Sequence, residues 1–198
     1  MSRYLKRLAL LCTVVVLVAI VVAERTPTTA AAGSAPSYTK EGNLILPGDY
    51  RTWNFLTSNV AMSYPMEGMN MDNMPQTFGN VFVNPDALTG YLKTGTWPDK
   101  TVLLIENRAS GTKPTLTKNA KFQTSVLGFE AHVKDAARGG WSFYFIRPNE
   151  TKGELIPKGA ACYTCHAKDA AVDTTFVQYY PTLIEIARKM GTYKDTTD

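Results

Sequence analysis

The chain has 198 residues, 44% of them hydrophobic, with 21 basic and 17 acidic side chains and three cysteines. That length suits one domain with a real core rather than two. It carries no Lys/Arg-rich stretch with interleaved aromatics, which argues against a nucleic-acid-binding role, and three cysteines are too few for a disulfide-stapled secreted scaffold.

The first element is a targeting segment. Arg3, Lys6 and Arg7 precede an uncharged, largely apolar run from Leu8 to Ala23, and Val21-Val22-Ala23 ends it before Glu24. This is the pattern of a secretory signal peptide over residues 1–23, too short for the about 20 apolar residues of a membrane span, although retention as an N-terminal anchor is the alternative. Its removal takes away Cys12 and three basic residues, leaving 18 basic against 17 acidic side chains and two cysteines in a single motif. The expected location is the periplasm, or the outer face of the cytoplasmic membrane, of a bacterium.

Residues 24–39 are small, polar and Pro-containing, as in a flexible linker, and the domain is expected over 40–194. PGDYRTW, with Pro47, predicts a short helix, and NFLTSNVAMS a strand. Met62, Met66, Met69, Met71 and Met74 then fall in a Gly- and Asn-rich stretch. Their thioethers suit an adaptable loop packed over an apolar cofactor or core, or a soft ion such as Cu(I).

TFGNVFVN alternates like a strand. NPDALTGYLKTG offers Asn84 as N-cap, Pro85 at the first helical position and Gly95 as the stop. TVLLIEN, KFQTSVLGFEAHVKD and WSFYFIR are further strands, and in the second of these Leu127, Phe129, Ala131 and Val133 share one face. A polar, Gly/Pro-punctuated segment after Arg147 leads to CYTCH, and TFVQYYPTLIEIARKMG predicts a closing helix with Leu183, Ile184 and Ile186 periodic and Gly191 at its end. Five strands and three or four short helices make an α+β domain built on a mostly antiparallel sheet.

The segment Cys162-Tyr163-Thr164-Cys165-His166 carries the chemistry. Zinc needs a fourth ligand, and the one other histidine, His132, lies far upstream in a predicted strand. A redox dithiol needs a βαβ context that this region lacks. Both readings leave His166 idle. A covalently attached haem uses all three residues, with thioethers from Cys162 and Cys165 and His166 on the iron, and such attachment is made outside the cytoplasm. One motif means one haem c. Its distal side is either ligated, by His132 or a methionine of the Met-rich loop, or open to a small molecule.

The segments QTFGNVFVNPDALTGYLKTGTWPDKTVLLIE, GFEAHVKDAARGGWSFYFI and CYTCHAKDAAVDTTFVQYYPTL resemble the cytochrome P-460 family, which includes cytochrome c′-β. The resemblance implies a mostly antiparallel β fold, often a homodimer, with one sheet face over a five-coordinate haem. In members that oxidise hydroxylamine, a lysine is cross-linked to the haem among polar groups, whereas c′-β members have an apolar distal side and bind nitric oxide. Glu130 in GFEAHVKD matches a pocket carboxylate of the former, a candidate catalytic proton acceptor, and would otherwise be a solvated strand charge.

The family's distal arginine falls at Gly79, and its cross-linking lysine at Ile105. The resemblance therefore implies the c′-β type, with an apolar distal wall from Leu103, Ile105 and one or more of Phe55, Phe78 and Phe82. Expected ligands are small and gaseous or nitrogenous, such as nitric oxide or carbon monoxide. A hydroxylamine-oxidising or weakly peroxidatic enzyme using Glu130, and a six-coordinate electron carrier, are the alternatives. A redox partner protein is implied but not identified.

Overall fold

Strands form where β-branched and aromatic residues alternate, and here seven of them join into one antiparallel sheet. The computed structural model describes residues 35–62, 76–113 and 118–195. The targeting segment, most of the linker and Met66 to Met74 lie outside the described residues.

The strands are β1 (Leu44–Ile45), β2 (Asn54–Val60), β3 (Thr77–Val83), β4 (Val102–Gly111), β5 (Phe122–Asp135), β6 (Gly140–Ile146) and β7 (Lys152–Leu155), in the order β1-β7-β6-β5-β4-β3-β2. From β2 to β7 each strand pairs with the next in sequence, and β1 closes the far edge beside β7. Among the described residues three α-helices accompany them: α1 (Pro85–Thr94), α2 (Ala161–Asp169) and α3 (Pro181–Lys189). The α+β, antiparallel expectation holds. The five expected strands are β2 to β6, and the two short strands β1 and β7 are additions. The segment expected to begin as a helix near Pro47 is a single 3-10 turn over Tyr50–Thr52.

Pro85 opens α1 where its missing N–H is not needed, and Gly95, at φ 71, ends it in the left-handed conformation while donating to the Tyr91 carbonyl. Asn84 does not cap this helix with its side chain. It is buried instead, and its Oδ1 accepts from the Val102 N–H (2.8 Å) while its Nδ2 donates to the Lys100 carbonyl (3.1 Å), fastening the start of β4. A buried amide needs a partner for both its oxygen and its nitrogen, and the start of β4 supplies them.

The sheet buries both faces. On one, Leu56, Val81, Val83 and Leu103 pack with Tyr91 of α1, Trp97, and Leu183 and Ala187 of α3. On the other, Val102, Leu104, Phe129, Ala131 and Val133 pack under Tyr50 and Trp53. Leu127, expected to join Phe129 there, is 42% exposed. Asn107 pairs with Gly128 and Arg108 with Val126, so Leu127 is the extra residue of a bulge and is turned out of the alternation.

The second face also holds a charge. Glu106 is almost fully buried and accepts from Tyr50 Oη (2.8 Å), Arg51 (2.5 Å) and Arg108 (2.8 Å), with Asn80 Nδ2 at 3.4 Å. Burial pushes its carboxyl pKa up, but these donors outweigh burial and hold it below the ordinary range. The network ties the 50–52 turn to the sheet.

Candidate functional site

Helix α2 carries Cys162, Cys165 and His166. Residues three apart on a helix lie one turn apart on one side, so the two sulfurs share a face. Both thiols are free, Cys162 exposed and Cys165 half-buried. Burial, then the nearby Asp169 carboxylate, raises the Cys165 thiol pKa. The helix buries none of its residues. It docks through Tyr163, whose hydroxyl accepts from the Phe143 N–H (3.1 Å) and donates to the Ile156 carbonyl (3.2 Å), and through His166.

His166 Nδ1 stands 2.9 Å from the Thr174 carbonyl oxygen. A carbonyl only accepts, so Nδ1 carries the proton and Nε2 keeps its lone pair. Burial lowers the pKa of this ring and the Thr174 bond acts the other way; the net shift is downward, so the imidazole is neutral near pH 7. Its ring packs against Phe176 (4.4 Å between centres), Phe143 (4.8 Å) and His132 (4.2 Å, edge-on).

The sheet beneath is organised in rows, because partners in an antiparallel ladder share a face. One row runs Val83, Leu103, His132, Phe143 across β3 to β6; the next runs Val81, Ile105, Glu130, Phe145. Rows on one face are two residues apart, about 7 Å. His166 therefore rests on the first row, and the second lies beside it, with Val81 buried, Ile105 half-buried, and Glu130 and Phe145 exposed. Asn107 Nδ2 holds the Glu130 carboxylate at 2.8 Å. In the third row, Gly79 and Gly128 flank Asn107. A Cβ at Gly79 would fall 2.7 Å from Asn59 Oδ1, so the side chain of Asn59 occupies that space.

Leu103 and Ile105 are thus on the face that receives His166. Phe78 and Phe82 are not. Phe78 pairs with Arg108 and Phe82 with Leu104, on the opposite face, where Phe82 packs edge-on against Tyr50 (5.6 Å) and Phe55 (5.8 Å). The structure does not bring these phenylalanines together with Ile105. The aromatic rings packed on His166 are instead His132, Phe143 and Phe176, and alternation along WSFYFIR, which puts Trp141, Phe143 and Phe145 on one face, was the available signal for Phe143.

His132 stacks on Phe143 (3.8 Å between centres, 30°), and burial, then the neighbouring His166, drive its pKa well down. Two imidazoles holding one metal from opposite sides stand about 6 Å apart, from two metal–nitrogen bonds of about 2 Å each and two ring radii. At 4.2 Å the two rings are in van der Waals contact. Among the described residues no group of three or more His, Cys, Asp or Glu is arranged to hold a metal ion, so a tetrahedral zinc site finds no ligand set there. A covalently held haem needs two accessible thiols one turn apart and a neutral imidazole with a free nitrogen. Helix α2 supplies both, so Cys162, Cys165 and His166 fit that group.

The family model described as Cytochrome P460 matches residues 47–177, from the turn that holds Tyr50 through the sheet and CYTCH to Val177. No curated protein matches the chain.

Proposed function

The chain belongs to the cytochrome P460 family, a family of haem cytochromes, and from that premise we propose that it is an exported monohaem c-type cytochrome that binds small neutral diatomics such as nitric oxide. The observation that carries this reading is the second sheet row, in which an isoleucine, Ile105, stands between Val81 and Glu130. In this reading Cys162 and Cys165 would hold a haem covalently, and His166, its Nδ1 turned to the Thr174 carbonyl, would hold the iron through Nε2. The haem supplies an iron able to take one further small ligand.

The protein's own residues do the rest. Ile105, half-buried and backed by the core residue Leu103, presents a branched apolar side chain that would exclude water and penalise a charged ligand, which would lose its hydration with no partner. Glu130, held by Asn107, is a carboxylate beside that apolar strip. It is also what favours the second reading, a hydroxylamine-oxidising enzyme, since a fixed carboxylate next to Ile105 can take up a proton released in an oxidation. Export rests on residues 1–23, and a homodimer on the family resemblance.

The test is to reduce the purified holoprotein and titrate it with nitric oxide and with carbon monoxide, then to measure hydroxylamine-dependent reduction of an artificial electron acceptor. Tight, stoichiometric gas binding with little hydroxylamine turnover is expected. Brisk turnover would favour the enzyme, and a ferrous protein that takes up neither gas would favour an electron carrier.

A further inference from the structure

The turn that follows α2 carries two costs at one residue. Asp173 and Thr174 both adopt left-handed backbone, at φ 47 and 61, and for a β-branched threonine that conformation is an outlier. The hydroxyl of the same threonine is buried with no hydrogen-bond partner. Val172 and Thr175 exchange backbone hydrogen bonds around the pair (3.2 and 2.7 Å), a two-residue turn that Asn-Gly would make without strain.

Surrounding groups hold this turn in place. Trp97 Nε1 donates to Thr175 Oγ1 (2.8 Å), which in turn donates to the Val172 carbonyl (2.6 Å). Lys134 Nζ reaches from β5 to Asp173 Oδ2 (2.5 Å) and to the Trp97 carbonyl (2.8 Å). Trp97 itself is buried in the core. Strain persists only where the surroundings over-determine it, and such places gather at functional sites. The one group this turn presents to the site is the Thr174 carbonyl, 2.9 Å from His166 Nδ1.

We propose that Thr174 is a positioning residue, and that the clamped Asp173-Thr174 turn fixes the tautomer and ring plane of His166 and sets how strongly Nε2 donates to the iron. This rests on His166 being the axial ligand, as proposed above. A hydrogen bond from Nδ1 to a fixed acceptor draws the proton off the ring and raises the basicity of Nε2. A more basic ligand stabilises the oxidised metal and strengthens the metal–nitrogen bond. A plain connector would need neither the strained threonine nor the two clamps.

The test compares the wild-type holoprotein with Thr175→Val, which removes the Trp97 clamp without changing shape, and with Lys134→Met, which releases Asp173. Each should show a lower iron–histidine stretching frequency in the ferrous resonance Raman spectrum and a more positive midpoint potential, with unchanged sheet circular dichroism. Glu185→Gln, which loses only the exposed ion pair to Arg188 on α3, should match the wild type in both. If Thr175→Val does not accumulate, Lys134→Met, on the rim of the turn, decides alone. An iron–histidine band lost in His166→Ala but unmoved by the clamp variants overturns this inference and leaves the axial assignment standing. A band that survives His166→Ala overturns both.

Discussion

Ile105 and Glu130 stand directly opposite each other on β4 and β5, with Val81 beyond the isoleucine and Phe145 beyond the glutamate. One residue of this pair is a carboxylate able to accept a proton, and the other has no nucleophile at all. In the reading proposed above, the pairing would set a carboxylate beside an apolar strip and leave no side chain there able to bond a porphyrin edge.

The protein is expected to lack a lysine cross-link. Lys100 is no substitute, because its Nζ is engaged by Asp135 at the far end of β5. The intact mass should equal the processed chain plus one haem with no further loss of hydrogens, and the ferrous Soret band should be that of an ordinary c-type haem. A strongly red-shifted band would sink this. Ile105→Lys, with Glu130 already opposite, should move the protein toward cross-linking and hydroxylamine turnover.

Attachment depends on α2. Changing both Cys162 and Cys165 to alanine should abolish haem staining on a denaturing gel, while either single change should leave one thioether and detectable stain. Haem retained by the double variant would refute the covalent assignment. The sheet should persist in all three, since neither cysteine is part of a core cluster.

The contact between His132 and His166 bears on coordination. His132→Phe keeps an aromatic ring on Phe143, so the ferrous protein should remain five-coordinate and high-spin in that variant as in the wild type. A low-spin, six-coordinate wild-type spectrum that becomes high-spin on this substitution would identify His132 as the sixth ligand and favour electron transfer.

Glu106→Gln should destabilise the fold by about 2 kcal/mol at pH 7, because hydrogen bonds to a charged, buried group are worth about 1.5–3 kcal/mol each and are only partly replaced by an amide. The sign with pH follows from the downward shift. A carboxyl held below its ordinary value stabilises the folded state above its unfolded pKa, about 4.3, and that contribution is lost as pH falls through the folded value. The gap between wild type and variant in urea unfolding should therefore narrow in acid. A gap that widens below pH 4 would contradict the assignment.

Much of this architecture was legible in the chain. The alternation in TFGNVFVN, TVLLIEN and WSFYFIR found β3, β4 and β6, and the Asn84-Pro85 to Gly95 punctuation bounded α1 because proline and glycine act through local backbone sterics. The short strands β1 and β7 left little trace, since two and four residues are too short to show a period. Asn84 was misjudged because a cap preference is local, whereas burial against β4 is not. Nothing in TVLLIEN points to the burial of Glu106, as its partners Tyr50, Arg51, Asn80 and Arg108 meet only through the fold. In the site, the spacing of CYTCH alone placed Cys162, Cys165 and His166 together on one helix, which is where the structure has them. Phe78 and Phe82 were grouped with Ile105 although parity along β3 and β4 separates them, as a strand's two faces cannot be assigned to the core or the cofactor without the partner strands.

The helix that bears the cysteines is also the one that buries nothing. Helices α1 and α3 each sink residues into the core, whereas α2 touches the sheet through one tyrosine and one histidine. Segments with so few buried contacts open at a small fraction of the global unfolding free energy. If Cys162 and Cys165 take a covalent haem as proposed, a sheet that is already folded could still release this short helix for the bond-forming step, presenting the half-buried Cys165 beside the already exposed Cys162, so that folding of the sheet would come first and attachment second. Hydrogen exchange on the haem-free chain would read that order directly, as fast exchange across 161–169 above a slowly exchanging β3 to β6.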